Sequence, residues 1–514
     1  MKPASPESAV PGRRALHPEA RQAAGNLLVV GTGQLLIGLV GLGTAIVVPR
    51  LLGPESYGLW MMYRTLIMTV LGLCMLGTSE VTICFLVPRL AAGDKTGAGR
   101  LFKGVTLLRT AATVLGAVLG CGLLMATRSP LASPQIGPWL ALSTISQGVQ
   151  LSFLLLMITE RRFVPVMLMH LLQALIIPPL AAVAYLHGAW RLVPPAVAGA
   201  DAGFALLALL LARPRHIWVS GWLPWREYRP LWRFGLAVAL AGVLDQLFLT
   251  AMPYTMSLLG YTHAAIGYLG LAGRVLAFVM MAGGVLGRAL WPTLAILLAT
   301  EGPDRAQRWQ ELGTRVGSAA LLALLGEFCL LGPLVVPRIW GAAFRDATGP
   351  LTIGLAAGFF LWQGSQCVRL LLLLRQPSRY LLAAALLWAV GGLCFVLRTP
   401  DVIGLNAAQA LLAGSAAYAL AARAALGGWR AVRQVFRTYA LPAAAVALAA
   451  LAGRQTWTVP GLLALAALWG LAFTGLIFGL RLLRFAELRD VWRALRSRAA
   501  VPTETCLPQA GVVP

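Results

Sequence analysis

The chain has 514 residues, 59% of them hydrophobic and 12% charged, against roughly 45–50% and 25% in an average soluble domain. Its net charge of +24 sits on no soluble module with a basic, aromatic-studded face, so it argues for membrane topology and against nucleic-acid binding. No Gly-x-x-x-x-Gly-Lys-Ser/Thr run occurs, which argues against ATP hydrolysis by this chain.

Residues 1–25 form a polar tail with no apolar core, so the first apolar run reads as an uncleaved anchor. Arg13 and Arg14 are followed by His17-Pro18-Glu19, not by the apolar run a twin-arginine signal needs. Apolar runs of about 20 residues, each able to cross a ~30 Å hydrocarbon core, then recur to the end. We expect spans at 26–48, 57–86, 105–126, 136–158, 164–186 and 192–211, making an N-terminal six-helix bundle over 26–212. A polar, aromatic linker, 213–233, separates this from spans at 234–259, 265–298, 316–336, 350–373, 380–397 and 402–420, a second bundle over 234–424. An extra helix pair within 425–483 (439–451 and 459–480) and a basic tail, 484–514, complete the chain. The fold class is thus an all-α polytopic membrane protein of about fourteen transmembrane helices.

Lys and Arg set the orientation. With both termini cytoplasmic, roughly thirty of them lie inside and about seven outside. The inner set includes Lys95, Arg161, Arg162, Arg213, Arg375, Arg430 and Arg433; Arg50, Arg128, Arg191, Arg338, Arg345, Arg398 and Arg454 fall outside. The seven cysteines show no CxxC pairing and the five histidines no ligand spacing, so neither a disulfide framework, a metal site nor a cofactor is expected.

One sequence pattern occurs twice. Leu51-Leu52-Gly53-Pro54-Glu55-Ser56-Tyr57-Gly58 joins the first two spans; Leu258-Leu259-Gly260-Tyr261, then Gly267-Tyr268, join the seventh and eighth. Arg64 follows the first copy and Arg274 the second. Spans one and seven enter from the same side, so the repeat is parallel. A repeated membrane unit with a cation in corresponding helices reads as a transporter.

The turn over 49–58, Leu76-Gly77-Thr78-Ser79, Arg233-Phe234-Gly235-Leu236, Leu290-Trp291-Pro292 and Ile339-Trp340-Gly341 carry a resemblance. Over roughly 26–420 the chain resembles bacterial polysaccharide-biosynthesis membrane proteins. These are O-antigen and exopolysaccharide flippases of the multidrug, oligosaccharidyl-lipid and polysaccharide exporter superfamily. The resemblance implies two six-helix bundles related by a pseudo-twofold along the membrane normal, around a central cavity, in a bacterial inner membrane. One departure is plain: where many relatives carry an Asp-Arg pair, this chain reads Ala251-Met252-Pro253.

A charge at the bilayer centre costs about 2.5–3.5 kcal/mol on insertion scales, so it usually faces a cavity or a partner. Arg274, Arg64, Gln34 and Gln150 are the candidate substrate-binding residues; Gln147, Gln173 and Gln246 are further cavity polar groups or helix–helix contacts. Asp245, Glu327, Asp201 and Glu80 are ion-coupling candidates, with a structural Asp245–Arg274 bridge as the bland alternative. Arg109, Arg288 and Arg369 lie near cytoplasmic helix ends, where their stems can snorkel to headgroups. Pro178-Pro179, Pro194-Pro195 and Pro253 are hinge candidates.

The expectation is a flippase that moves a polyprenyl-pyrophosphate-linked oligosaccharide to the outer leaflet by alternating access, with no catalytic residues. Expected partners are the bilayer and the polymerase and glycosyltransferases of the same pathway. The alternatives are a cation-coupled drug or metabolite exporter of the same superfamily, and a membrane glycosyltransferase or polymerase. The latter lacks a sizeable extramembrane domain.

Overall fold

The structure is a computed structural model describing residues 18–75, 78, 82, 86, 89, 94–126, 131, 133, 135–160, 162–213, 221–224, 226–227, 235–236, 239–244, 248, 250–278, 303–374, 376–453 and 458–479. Its main helices are α1 (Pro18–Cys74), α2 (Lys95–Ala126), α3 (Gly137–Thr159), α4 (Phe163–Gly188), α5 (Val193–Ala212) and α6 (Met252–Leu258). They continue with α7 (His263–Phe278), α8 (Pro303–Trp340), α9 (Thr348–Leu373), α10 (Pro377–Val396), α11 (Leu405–Ala452) and α12 (Val459–Gly479).

Among the described residues nine helices are long and apolar enough to cross a membrane. Two of these, Thr32–Cys74 and Leu405–Ala452, run to 43 and 48 residues. At 1.5 Å per residue each is about twice the ~30 Å hydrocarbon thickness. Both are broken where glycine permits. α1 leaves helical geometry at Gly53 (φ 73°, ψ 168°), and α11 does so at Gly427 and Gly428. Each therefore has the length of two spans.

The joint between the first two spans is tighter than the polar turn the sequence suggested. Only Gly53 departs from the helix, because Pro54 suits the first turn of the next arm, where its missing N–H costs nothing. The helix pair near the C-terminus differs similarly. α11 runs on through 429–438, where a linker was expected. Arg430, Arg433 and Arg437 are exposed, as are Trp429 and Phe436, while Val432 and Tyr439 are buried, so this stretch packs by one narrow side.

Packing follows membrane rules. Leu115, Val118, Leu119, Leu206 and Leu210 are exposed, whereas Ser143, Thr144, Gln147, Gln150 and Ser152 of α3 are buried. Lipid tails are as apolar as leucine, so contacts between helices use small and polar side chains. α3 packs against α2, α5 and α1, and α4 against α1 and α5. In the other half α11 packs on α9, α10 and α8, and α12 on α8 and α11.

The two copies of the glycine motif meet. Gly53 and Gly260 both hold a left-handed turn, at φ 73° and 86°. Beyond them, a Cβ on Gly58 would fall 1.9 Å from His263 O, and one on Gly267 2.2 Å from Pro54 O. No residue but glycine fits this backbone-to-backbone seam. Phe344, on a 3₁₀ turn after α8, lies edge-on to Tyr57 (centroids 6.4 Å apart) and to Tyr268 (5.9 Å). Tyr268 Oη donates to Ala343 O at 3.1 Å, and Trp340 Nε1 to Ala45 O at 2.7 Å. This sealed region is called the turn end below.

Of the three hinge candidates, Pro253 sits in the first turn of α6 beside the Ala251 cap, inside a stretch expected as one span. Pro178 and Pro179 lie inside unbroken α4. Pro194 and Pro195 open α5, in its first turn, where no helical hydrogen bond is lost.

Candidate functional site

Beyond the seam lies a cavity of about 250 Å³, lined from four helices. α1 supplies Trp60, Arg64 and Met68; α3 supplies Gln147, Gln150, Leu151 and Leu154. α4 gives His170, Gln173, Ala174, Ile177 and Pro178, and α7 gives Arg274. The numbering explains the convergence: 60/64/68, 147/150/151/154 and 170/173/174/177/178 are each one face of an α-helix.

Arg64 is held on one edge. Its Nη1 lies 3.4 Å from Asp201 Oδ2 on α5, and its guanidinium is 5.8 Å from the Trp60 ring centre, one turn back. Gln147 Nε2 donates to the same Asp201 oxygen at 2.9 Å. Asp201 itself is fully buried behind the lining. Arg274 is exposed to the cavity space, beside the Tyr57 hydroxyl and near enough to Arg64 for the two cations to repel. No Asp or Glu is among the described lining residues. Two like charges facing one concave space focus a positive potential that favours an anion.

The amides complete the site. Gln173 Nε2 donates to Gln150 Oε1 at 2.8 Å, which leaves the buried Gln150 Nε2 without a partner. Guanidinium forks match phosphate oxygens, and free amide N–H groups match hydroxyl or phosphate oxygens. Apolar Met68, Leu151, Leu154 and Ile177 fill the remaining wall.

Arg274, Arg64 and Gln150 thus come together, with Gln147 and Gln173 beside them. Gln34 stands apart: its Nε2 donates to Met167 Sδ at 3.6 Å, a contact between α1 and α4. Glu327 faces α12, where Gly470 leaves room for its carboxylate, and is not on the cavity. Asp245, with its bridge to Arg274, and Glu80, Gln246 and Arg288 lie outside the described residues. Arg109 corrects the snorkelling expectation. It is 1% exposed, and its Nε and Nη2 reach Thr78 Oγ1 at 2.9 and 2.7 Å. A hydroxyl across the helix contact holds the guanidinium inward. His170 and Trp60 are lining residues that sequence reasoning passed over; the spacing 170/173/177 along α4 was the available signal.

No family profile and no curated protein matches the chain. Its likeness to solved structures is one of fold. The lipid II flippase MurJ in an inward closed conformation is similar at TM-score 0.60 and 12% identity, over 90% of this chain and 99% of that one. A MATE transporter of Vibrio cholerae is similar at 0.55 and 15%, over 82% and 98%. A MOP superfamily transporter from Pyrococcus furiosus, described by the reversed polarity of its binding pocket, is similar at 0.52 and 13%, over 82% and 99%. These are transporters and a flippase, not enzymes, and the chain has the all-helical membrane fold that MOP superfamily transporters share.

Proposed function

We propose that this chain is a flippase for a lipid-linked oligosaccharide on a polyprenyl diphosphate, working by alternating access in a bacterial inner membrane. The observation that carries the reading is the pair Arg64 and Arg274, each following one copy of the repeated motif, on one cavity with four amide or imidazole side chains and, among the described lining residues, no acid. A diphosphate needs cations at depth, a sugar needs amide donors, and an isoprenoid tail can remain in lipid. The cavity is slightly below the ~300–1,000 Å³ of common ligand pockets and suits a diphosphate headgroup with its first sugar. The match to the lipid II flippase covers 90% of this chain against 82% for the MATE match, an excess of roughly two spans. That difference also favours a lipid-linked cargo.

A drug or cation exporter would need an acid on the lining, and Asp201, the acid beside the cavity among the described residues, is turned to Arg64. In this reading the turn end faces outward, both termini are cytoplasmic, and the pathway's glycosyltransferases and polymerase supply and consume the cargo. The test is translocation of a fluorescent polyprenyl-diphosphate oligosaccharide in proteoliposomes. Wild-type protein should accelerate flipping, and the double variant R64A/R274A should not, though it inserts normally. Flipping by that variant at the wild-type rate would reject the reading.

A further inference from the structure

Asp201 has one oxygen satisfied and one not. Oδ2 takes Arg64 at 3.4 Å and Gln147 Nε2 at 2.9 Å, while Oδ1 has no hydrogen-bond partner. Beside it on α3 lies Ser143 Oγ, also fully buried, close enough to Asp201 and to Tyr63 to interact with both but outside full hydrogen-bond geometry. A carboxylate in such a place stays ionised only while a cation is paired with it; without one, the buried charge is removed by a proton. Its cation is Arg64, which also lines the cavity.

We propose that Arg64 is shared between Asp201 and an anionic ligand of the cavity, so that capture of the anion makes Asp201 take up one proton. This rests on the reading of the cavity as a phosphate-binding headgroup site. The exchange balances. Arg64 moves its single Nη1 contact from Oδ2 to phosphate oxygens, and a proton drawn from the bulk solvent through the cavity bonds to Oδ1. The new O–H donates to Ser143 Oγ, and Gln147 keeps its bond to Oδ2. When the anion leaves, Arg64 returns and the proton goes back to water. Anion and proton are therefore bound and released together.

Among the described residues the ionisable groups around Asp201 are few: α1 brings Arg64 and Tyr63 to it, and α3 presents neutral Ser143 and Gln147. On α4, His170 lines the cavity, Tyr185 Oη is bonded to Ser56 at the turn end, and His187 lies in the last turn. Arg274 on α7 faces the same cavity. Among the described residues, His170 is thus the competing source of pH dependence.

The experiment uses purified full-length protein and inorganic pyrophosphate, with proton uptake read by indicator dye in weak buffer and affinity by calorimetry from pH 6 to 8. The probe's own titration is common to every variant and cancels in the comparison. Wild-type protein should take up about one more proton per pyrophosphate than Asp201→Asn, and its affinity should carry an extra dependence of up to about tenfold per pH unit. Asp201→Asn should bind on the order of tenfold more tightly at pH 8, since no carboxylate competes for Arg64. His170→Gln should keep the linked proton. Arg64→Gln should lose it and also bind weakly, which keeps the test valid where Asp201→Asn folds poorly.

Equal proton uptake in wild type and Asp201→Asn, with binding that still weakens in Arg274→Ala, overturns the shared arginine and leaves the cavity reading standing. Loss of the linked proton in His170→Gln overturns it as well. Wild-type protein that binds no pyrophosphate overturns the cavity reading and this proposal together.

Discussion

Arg274 and Arg109 are both arginines within apolar helices, yet they stand in opposite circumstances. Arg274 opens onto the cavity, whereas Arg109 is 1% exposed and closed over by Thr78. Arg274→Lys should therefore cut flipping while leaving membrane abundance normal, because an ammonium cannot reproduce the fork. Arg274→Ala should be worse; a lost charge-assisted bond of about 1.5–3 kcal/mol corresponds to a tenfold or larger drop in the proteoliposome assay. Thr78→Val should instead cost about 1–3 kcal/mol of stability, seen as a lower melting temperature and less protein in the membrane. Wild-type melting in Thr78→Val would mean that Arg109 has other support. Arg64 and Arg274 were legible in the sequence because a cation deep in an apolar run after a repeated turn is a rare signal. The burial of Arg109 was not, since depth along a helix does not say which face a residue occupies, and Thr78 lies 31 positions away.

The turn motif was legible as local chemistry: Leu-Leu-Gly, a short polar turn, then glycine and an aromatic marks a joint between two apolar helices. That the two copies press against each other is a tertiary fact that neither copy encodes alone. Phe344, inserted between Tyr57 and Tyr268, comes from a third, unrelated stretch after Trp340. Helical continuity through 429–438 was missed because exposed arginines look like a loop in a hydropathy reading, although arginine is a good helix former. The seam makes a prediction at this scale. Gly58→Ala places a methyl 1.9 Å from His263 O, so the bundles must separate at the turn end. In a cysteine-free background, a cysteine replacing Phe344 should then react faster, by about tenfold for a ~1.4 kcal/mol population shift, with an impermeant maleimide added outside. Unchanged labelling would show that the contact is not a gate.

At the scale of the molecule, composition alone gave the class, and the order of helices gave a fold that solved structures share at TM-scores of 0.52–0.60 despite 12–15% identity. Identity this low explains why cargo and coupling remain with the residues of the cavity. The proposed orientation predicts that a cysteine at Lys95 or Arg430 is unreactive to an impermeant reagent in intact cells and reactive after permeabilisation; labelling in intact cells would invert the molecule. The glycine seam has a further consequence for the working cycle. A gate closed by long side chains would freeze several rotors at each closure, at up to about 1.5–2 kcal/mol apiece. Gly58 and Gly267 add no rotors to those of Tyr57, Tyr268 and Phe344 beside them, and their own contact presents no buried ion pair that must be stripped of water to form or rehydrated to break. Open and closed forms can then lie close in free energy, with a low toll for passing between them. The direction of the next movement is left to whatever the cavity holds.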